Sequence, residues 1–429
     1  MESWSLAVIA GLVVAFAALS RRLEHTVVTA AIFFVTGGLL AGSEVLGWID
    51  LQVESGSIRL LAEATLTLVL FADASRIELA ALRREYAVPV RLLGIGLPLT
   101  IVAGAALASG IFDELTLAEA FVLAIVLAPT DAALGQAVVT DRRLPSRIRQ
   151  GLNVESGLND GICVPLLFIA LAIAEAEEGA ISGGHAVTLV VEEIGYGVLG
   201  GVVAGAVGAV LVRLCISRGL IEPAWVQILT VGSAALAYGL AAPLGGSGFI
   251  AAFVGGFVFG ALRRGAGGEV THLLDEGGEL LNGVTFVVFG ALILGPALAA
   301  LTWEAALYAV LSLTVVRMLP VAVSLIGTRA RPPTVGYVGW FGPRGLASIV
   351  FAVILVEEAD LAHTEPILLA IFVAIGLSVY AHGISARPLT DRYARWYEAH
   401  PHPPVMESVP AAEQRPRWTR QASGLRHRG

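Results

Sequence analysis

Two carboxylates five residues apart, in Glu155-Ser156-Gly157-Leu158-Asn159-Asp160, are followed by the apolar run Ile162-Cys163-Val164-Pro165-Leu166-Leu167-Phe168-Ile169. The whole stretch, roughly 153–174, reads as a segment that crosses a bilayer. An ionisable group at membrane depth costs at least about 2.5–3.5 kcal/mol, and such groups mark ion or proton pathways by default. The chemistry expected of Asp160 is reversible binding of a cation or a proton. Other ionisable residues inside apolar stretches are few: Glu63, Asp73, Asp131, Glu192, Glu193, Arg317 and Arg344. Glu119, Glu279 and Glu304 fall near the ends of such stretches and read as interfacial.

Two further stretches combine charge with helix-breaking residues. One is Ala128-Pro129-Thr130-Asp131 and the other is Phe341-Gly342-Pro343-Arg344-Gly345. Proline removes a backbone donor and clashes with the preceding turn, so a helix breaks near it. Broken backbone at membrane depth is tolerated only inside protein or beside water. Interruptions at matching positions of two halves point to inverted repeats with a binding site between them. If spans one to six repeat as eight to thirteen, the two breaks correspond. Asp131 would then offset the positive N-terminal end of one half-helix, and Arg344 the negative C-terminal ends.

Blander roles stand beside these. Thr130 could simply cap a helix start, and Asn159-Asp160 could be a polar patch between helices. Glu155 is read as half of a structural ion pair, with Arg317 ahead of Arg344 as partner. Asp73 could cap its helix or pair with Arg76. Glu63 faces the bundle or supports the site. Glu192 and Glu193 are read as lying near a membrane surface or on a polar face.

These residues must be carried by an all-α polytopic membrane protein. The 429 residues are 56% hydrophobic and 14% charged, against about 25% charged in soluble domains, and the mean hydropathy is +0.79. All 27 basic residues are arginine, which leaves no lysine as an intramembrane base. Cys163 and Cys215 lack the spacing of a disulfide or metal pair. With about 20 apolar residues per crossing, thirteen spans are expected, near 4–20, 26–42, 58–74, 87–111, 116–138, 151–175, 186–212, 224–243, 246–262, 278–299, 303–327, 335–356 and 365–385. The first is read as a retained helix, since no basic stretch or clear cleavage site accompanies it.

Arginines gather in alternate loops: Arg21 and Arg22; Arg76, Arg83 and Arg84; Arg142, Arg143, Arg147 and Arg149; Arg213 and Arg218; Arg263 and Arg264; Arg329 and Arg331. The intervening loops carry Glu44 and Asp50, Asp113 and Glu114, Glu175, Glu177 and Glu178, and Glu357, Glu358 and Asp360. Arg59 is the exception. The positive-inside rule places the N-terminus outside and the C-terminus in the cytoplasm. Residues 1–386 are read as one transmembrane domain, and 387–429, rich in Pro, Arg, Glu and Gln, as a short disordered cytoplasmic tail. The tail's His400 and His402 lack a third metal ligand at suitable spacing.

Taken together, Leu70-Phe71-Ala72-Asp73-Ala74, Pro129-Thr130-Asp131, the Glu155–Asp160 stretch, Val316-Arg317-Met318-Leu319-Pro320 and Gly342-Pro343-Arg344-Gly345 resemble the monovalent cation:proton antiporter family. The resemblance is to its NhaP-type sodium/proton antiporters and covers nearly the whole membrane domain. It implies thirteen helices, inverted repeats with two broken crossing helices, a homodimer in the cell membrane, no enzymatic activity, no cofactor and no nucleic-acid partner. It implies that Asp160 binds the transported Na+ or H+, that Thr130, Asp131 and Ser156 complete an oxygen shell, and that Asn159, Glu155, Arg317, Arg344 and Asp73 shape the site. Asn159, where electrogenic relatives carry a second aspartate, implies electroneutral exchange. Potassium/proton exchange is the near alternative, because ligand type does not separate the two ions. A channel would need a continuous pore or filter, and no repeated carbonyl filter sequence appears. An intramembrane aspartyl protease would need Gly-x-Gly-Asp where Gly157-Leu158-Asn159-Asp160 stands, and tyrosine in place of Thr130.

Overall fold

The computed structural model describes residues 2–23, 26–49, 56–77, 87–131, 134–177, 179, 182–263, 270–358 and 361–400. Arg83, Arg84, Arg264, Asp50, Glu178 and Asp360 of the loop-charge pattern, and the tail from 401 with His402, lie outside them. Among the described residues all regular structure is helical. The first half contains α1 (Glu2–Leu23), α2 (Ala30–Ala41), α3 (Gly56–Ser75), α4 (Val88–Ile111), α5 (Leu117–Val126), α6 (Gln136–Thr140) and α7 (Ser146–Glu177). There follow α8 (Gly183–Ser217), α9 (Pro223–Ala241), α10 (Gly248–Leu262), α11 (His272–Ala299), α12 (Trp303–Ser324), α13 (Pro332–Trp340), α14 (Leu346–Glu358) and α15 (Thr364–Glu398).

Eight of the described helices are long and apolar enough to cross a membrane, and α2, α5, α10 and α14 contain shorter apolar helices. Helix length therefore does not set the number of crossings at thirteen. Several helices start where the sequence supplies an oxygen for the first free amides. Thr29 accepts from Ile32 N, Ser247 from Ile250 N and Thr302 from Ala305 N. Glu119, read as lying near a span end, stands at the first turn of α5. It is fully buried, forms a capping box with Thr116 at the start of α5, and accepts from His363 N at 3.0 Å.

The two halves pack by one rule. In α2, Gly38 and Gly42 lie directly on the backbones of Val287 and Ala291 in α11. In α10, Gly256 and Gly260 lie on the backbones of Phe71 and Ser75 in α3. The same spacing recurs in Gly37-Gly38-Leu39-Leu40-Ala41-Gly42 and Gly255-Gly256-Phe257-Val258-Phe259-Gly260. Exchanging the halves turns the α2–α11 contact into the α10–α3 contact, as inverted repeats require. Small residues four apart let helix backbones meet without side chains between them, which is how helices associate in lipid. A third such seam joins Gly201 and Gly205 of α8 to Ala251 and Gly255 of α10. The opposite side of α8 exposes Val191, Leu199, Val203 and Val210, as a lipid-facing surface does.

The last helix extends beyond the composition change at Arg387 to Glu398, so the start of the expected tail is ordered. Its final turns are held by side chains: Tyr393 Oη lies 2.8 Å from Thr334 Oγ1, and Tyr337 Oη 2.8 Å from Thr390 Oγ1. The Tyr337 and Tyr393 rings stack with centroids 4.4 Å apart.

The seams predict opposite outcomes for one substitution at two places. A methyl group on Gly205 overlaps the Gly255 carbonyl, whereas one on Gly239 meets nothing within 4 Å. Gly205→Ala should lower the thermal midpoint in detergent, with overpacking costing about 1–3 kcal/mol. Gly239→Ala should leave the midpoint unchanged or raise it, by about 0.5–1 kcal/mol of helix propensity at most.

Candidate ion-binding site at the helix crossing

Helix α5 ends at Val126, ahead of Pro129, and α13 ends at Trp340, ahead of Pro343. The two non-helical stretches cross, and Asp131 N donates to Pro343 O at 2.7 Å. Each free helix end meets the charge its dipole favours. At the C-terminal end of α5, the Arg344 guanidinium donates through Nη1 to Ala128 O at 2.9 Å and Pro129 O at 3.2 Å. Ser348 Oγ donates to Val126 O at 2.7 Å. At the N-terminal end of α14, Leu346 N donates to Asp131 Oδ2 at 3.1 Å. A side chain at Gly345 would overlap the Asp131 carboxylate, so this position requires glycine. The expected roles of Asp131 and Arg344 at the half-helix ends are both seen in this geometry.

Helix α7 brings the other polar groups to the crossing. Glu155, Ser156, Asn159 and Asp160 are all buried. Ser156, Asn159 and Asp160 share one side of the helix by their three- and four-residue spacing. Ser156 Oγ donates to Thr130 O, and Asn159 Nδ2 donates to Thr130 Oγ1 at 2.7 Å. The unwound residue is thus gripped at its main chain and its side chain. Asn159 Oδ1 is buried with no hydrogen-bond partner among the described residues. Asp160, 8% exposed, follows Gly157 by three residues, and Gly157 faces Asp73 of α3. A methyl group built on Gly157 would stand 3.5 Å from Asp73 Cβ. Asp73 therefore borders the site from the neighbouring helix. Its expected partner Arg76 lies 3.9 Å away and forms a closer ion pair with Asp275 of α11.

Arg317, not Arg344, holds Glu155. The pair is bidentate, with Nη1 to Oε1 at 2.6 Å and Nη2 to Oε2 at 3.0 Å, and both side chains are 3% exposed. It fastens α7 to α12 just beyond the interruption of α12 at Thr314. Gly342 lies directly on the Arg317 guanidinium, so the ion pair also bears on the second break.

The structure therefore joins Thr130, Ser156 and Asn159 by direct contact, seats Asp131 and Arg344 on the helix ends, and sets Glu155 with Arg317 at the side. One Asp131 oxygen is engaged by the α14 amide, so Asp131 braces the crossing as well as bordering it. Glu63 pairs with Arg59 at 2.6 Å on α3 itself. Glu192 lies exposed on α8 and Glu193 is half-buried there. The charge scan missed Ser348, Ser378 and His382. The two serines carry no charge to count. His382 offered a signal, a histidine within the last apolar span.

What collects at the crossing is a set of hard oxygen atoms from Thr130, Ser156 and Asn159, with the carboxylates of Asp131, Glu155 and Asp160 all buried. The transmembrane sodium/hydrogen exchanger family matches residues 7–392. The chain belongs to that family. Among relatives of this exchanger-family chain is a protein named K+/H+ antiporter NhaP from Alkalimonas amylolytica. The two are 26% identical over 74% of this chain and 54% of the relative. Another is named Na+/H+ antiporter NhaH, from Halobacillus dabanensis, 27% identical over 65% of this chain and 70% of the relative. The chain spans about half the length of the K+/H+ antiporter relatives it matches. The fold is that of MjNhaP1, described as a sodium proton antiporter, from Methanocaldococcus jannaschii, whose structure at pH 8 matches with a TM-score of 0.70. That match is 20% identical and covers 89% of this chain and all of the other. The family is one of transporters, which leaves the protease reading without support.

The buried ion pair predicts a cost that a second substitution relieves. Glu155→Gln strands the Arg317 charge in a dry site and should destabilise the protein by about 3–5 kcal/mol. Glu155→Gln combined with Arg317→Gln should recover part of the loss. Thermal unfolding of the three purified proteins in detergent measures both effects.

Proposed function

We propose that this family member is a secondary sodium/proton antiporter of the cell membrane that exchanges one Na+ or Li+ for one H+ by alternating access. One observation carries the reading: Asn159, next in the chain to the buried Asp160 on α7, holds Thr130 where two broken helices cross. Asp160 holds the transported cation or proton. Thr130, Asp131 and Ser156 supply further oxygens. Asn159, Glu155, Arg317, Arg344 and Asp73 keep the site in shape. No cofactor takes part.

The exchange follows from competition at one carboxylate. Removal from water favours a protonated carboxyl group, whereas a bound cation favours the ionised form. The two loads therefore exclude each other. A carboxylate carrying either load is neutral overall and crosses a low-dielectric interior far more readily than a bare charge. Coupling arises because the empty ionised site resists the movement that either loaded site allows. With Asn159 neutral, one charge is compensated per cycle, so exchange is electroneutral. The orientation proposed is N-terminus outside and C-terminus cytoplasmic, on the arginine-rich loops. Residues 1–386 belong to the transport domain, α15 carries its fold on to Glu398, and the assembly is a homodimer.

Potassium/proton exchange is the second reading. It is favoured by relatives that carry that name, and the oxygen set accommodates either ion.

Proteoliposomes with an imposed pH gradient test both readings. Sodium or lithium should collapse the gradient whether membrane potential is clamped or free, and Asp160→Asn should reduce the response to that of empty liposomes. A response to potassium alone would select the second reading. Ion-independent behaviour of folded wild-type protein would remove both.

A further inference from the structure

Helix α15 holds the second break as α7 holds the first. Under the repeat, α7 corresponds to α15 and the break at Pro129 to that at Pro343. On α7, Ser156 and Asn159 grip Thr130. On α15, Ser378 and His382 occupy the same station. Arg344 N donates to Ser378 Oγ at 2.6 Å. His382 Nδ1 lies 3.1 Å from Ser378 Oγ, and His382 Nε2 lies 3.0 Å from Trp340 O. Trp340 is the last residue of α13, and Arg344 is two residues before α14. The imidazole, 1% exposed, therefore reaches both ends of the second break.

Each ring nitrogen also faces a backbone carbonyl: Nε2 meets Trp340 O, and Nδ1 lies 3.1 Å from Ser378 O as well as from Ser378 Oγ. A carbonyl can only accept, so the ring donates to these carbonyls from whichever nitrogen carries hydrogen. Ser378 Oγ in turn accepts from Arg344 N. The ring thus stands between Trp340 O and the Ser378 hydroxyl that holds the Arg344 amide. The ring is further confined against the Trp340 indole, with centroids 4.9 Å apart, and Trp340 Nε1 donates to Ser385 Oγ at 2.9 Å on α15.

We propose that His382 is a positioning residue. With Ser378 it ties the Trp340 carbonyl to the Arg344 amide across the second break. It thereby sets the Arg344 guanidinium over the carbonyls of Ala128 and Pro129, next to Thr130. His382 touches no transported ion. It acts on the ion site through Arg344 and through the Asp131 N–Pro343 O bond. The effect on transport rests on the antiporter reading above, whereas the effect on the break does not.

The test therefore has two arms on purified full-length protein. Hydrogen exchange of the amides of residues 341–346 reads the break directly. Transport in proteoliposomes, with sodium or potassium as the varied ion, reads apparent KM and maximal rate. His382→Leu should accelerate exchange across 341–346 and raise the apparent KM about five- to tenfold, as loss of a buried tie that shapes a binding site does. His382→Gln keeps an amide donor for Trp340 O and should recover most of both losses. Ser378→Ala should reproduce the leucine phenotype, and the double variant should be no worse than either single one, because both break one chain. Ser378→Ala removes a single oxygen atom and carries the test if the leucine variant does not fold. Lowered yield or maximal rate with unchanged KM and unchanged exchange would overturn the proposal. If wild-type protein moves no protons with either ion, the antiporter reading fails. Exchange at 341–346 then decides alone: acceleration supports the tie and wild-type protection refutes it.

Discussion

Backbone broken inside a membrane protein has to find hydrogen-bond partners within the protein, because lipid offers none. At the crossing of 127–131 and 341–345, those partners come from the opposite stretch and from three neighbouring helices. Asp131 and Arg344 each serve the helix end of the other half. The Asp131 N–Pro343 O bond closes the crossing between them. Neither break is a local feature. Each half supplies the charge that the other half's dipole requires, so the crossing exists only when both halves have folded together.

Once that demand is met, the surrounding architecture follows. The crossing needs a frame that holds two half-helix pairs in register, and the glycine seams provide it. Gly38 and Gly42 on α11, and Gly256 and Gly260 on α3, bring backbones into direct contact and leave little freedom to slide. The Glu155–Arg317 pair pins α7 to α12 beside the second break. The long helices closing each half, α7 and α15, then apply side-chain grips to Thr130 and to the Trp340–Arg344 stretch. The proposed ion site borrows its rigidity from this frame. Its oxygens are held by hydrogen bonds whose first task is to satisfy unwound backbone.

The same economy shapes the residues of the proposed ion site. Thr130 presents oxygen because its helix has ended, and Ser156 and Asn159 keep it in place with donors. Asn159 Oδ1 stays buried and unpartnered among the described residues. Asp160 follows Asn159 on α7 and is buried with it.

Composition and the spacing of charges, prolines and apolar runs were enough to identify an all-helical membrane protein and its two breaks, and to nominate residues for the site. Charge in lipid is expensive, so Asp131, Glu155, Asp160, Arg317 and Arg344 stand out against apolar neighbours. Proline interrupts a helix whatever surrounds it. The repeat of Gly37-Gly38 with Gly42 in Gly255-Gly256 with Gly260 was also present in the chain, though its meaning depends on which helices meet. Tertiary structure fixed Arg317, already ranked ahead of Arg344, as the partner of Glu155. It placed Arg76 on Asp275, buried Glu119 as a cap, and carried α15 on to Glu398 through the Tyr337–Tyr393 stack. It also made His382 and Ser378 part of the crossing. The physical reason is common to all of these. Burial and spans depend on what one stretch of chain is, whereas an ion pair or a hydrogen bond depends on which of several suitable partners the packing brings within 3 Å.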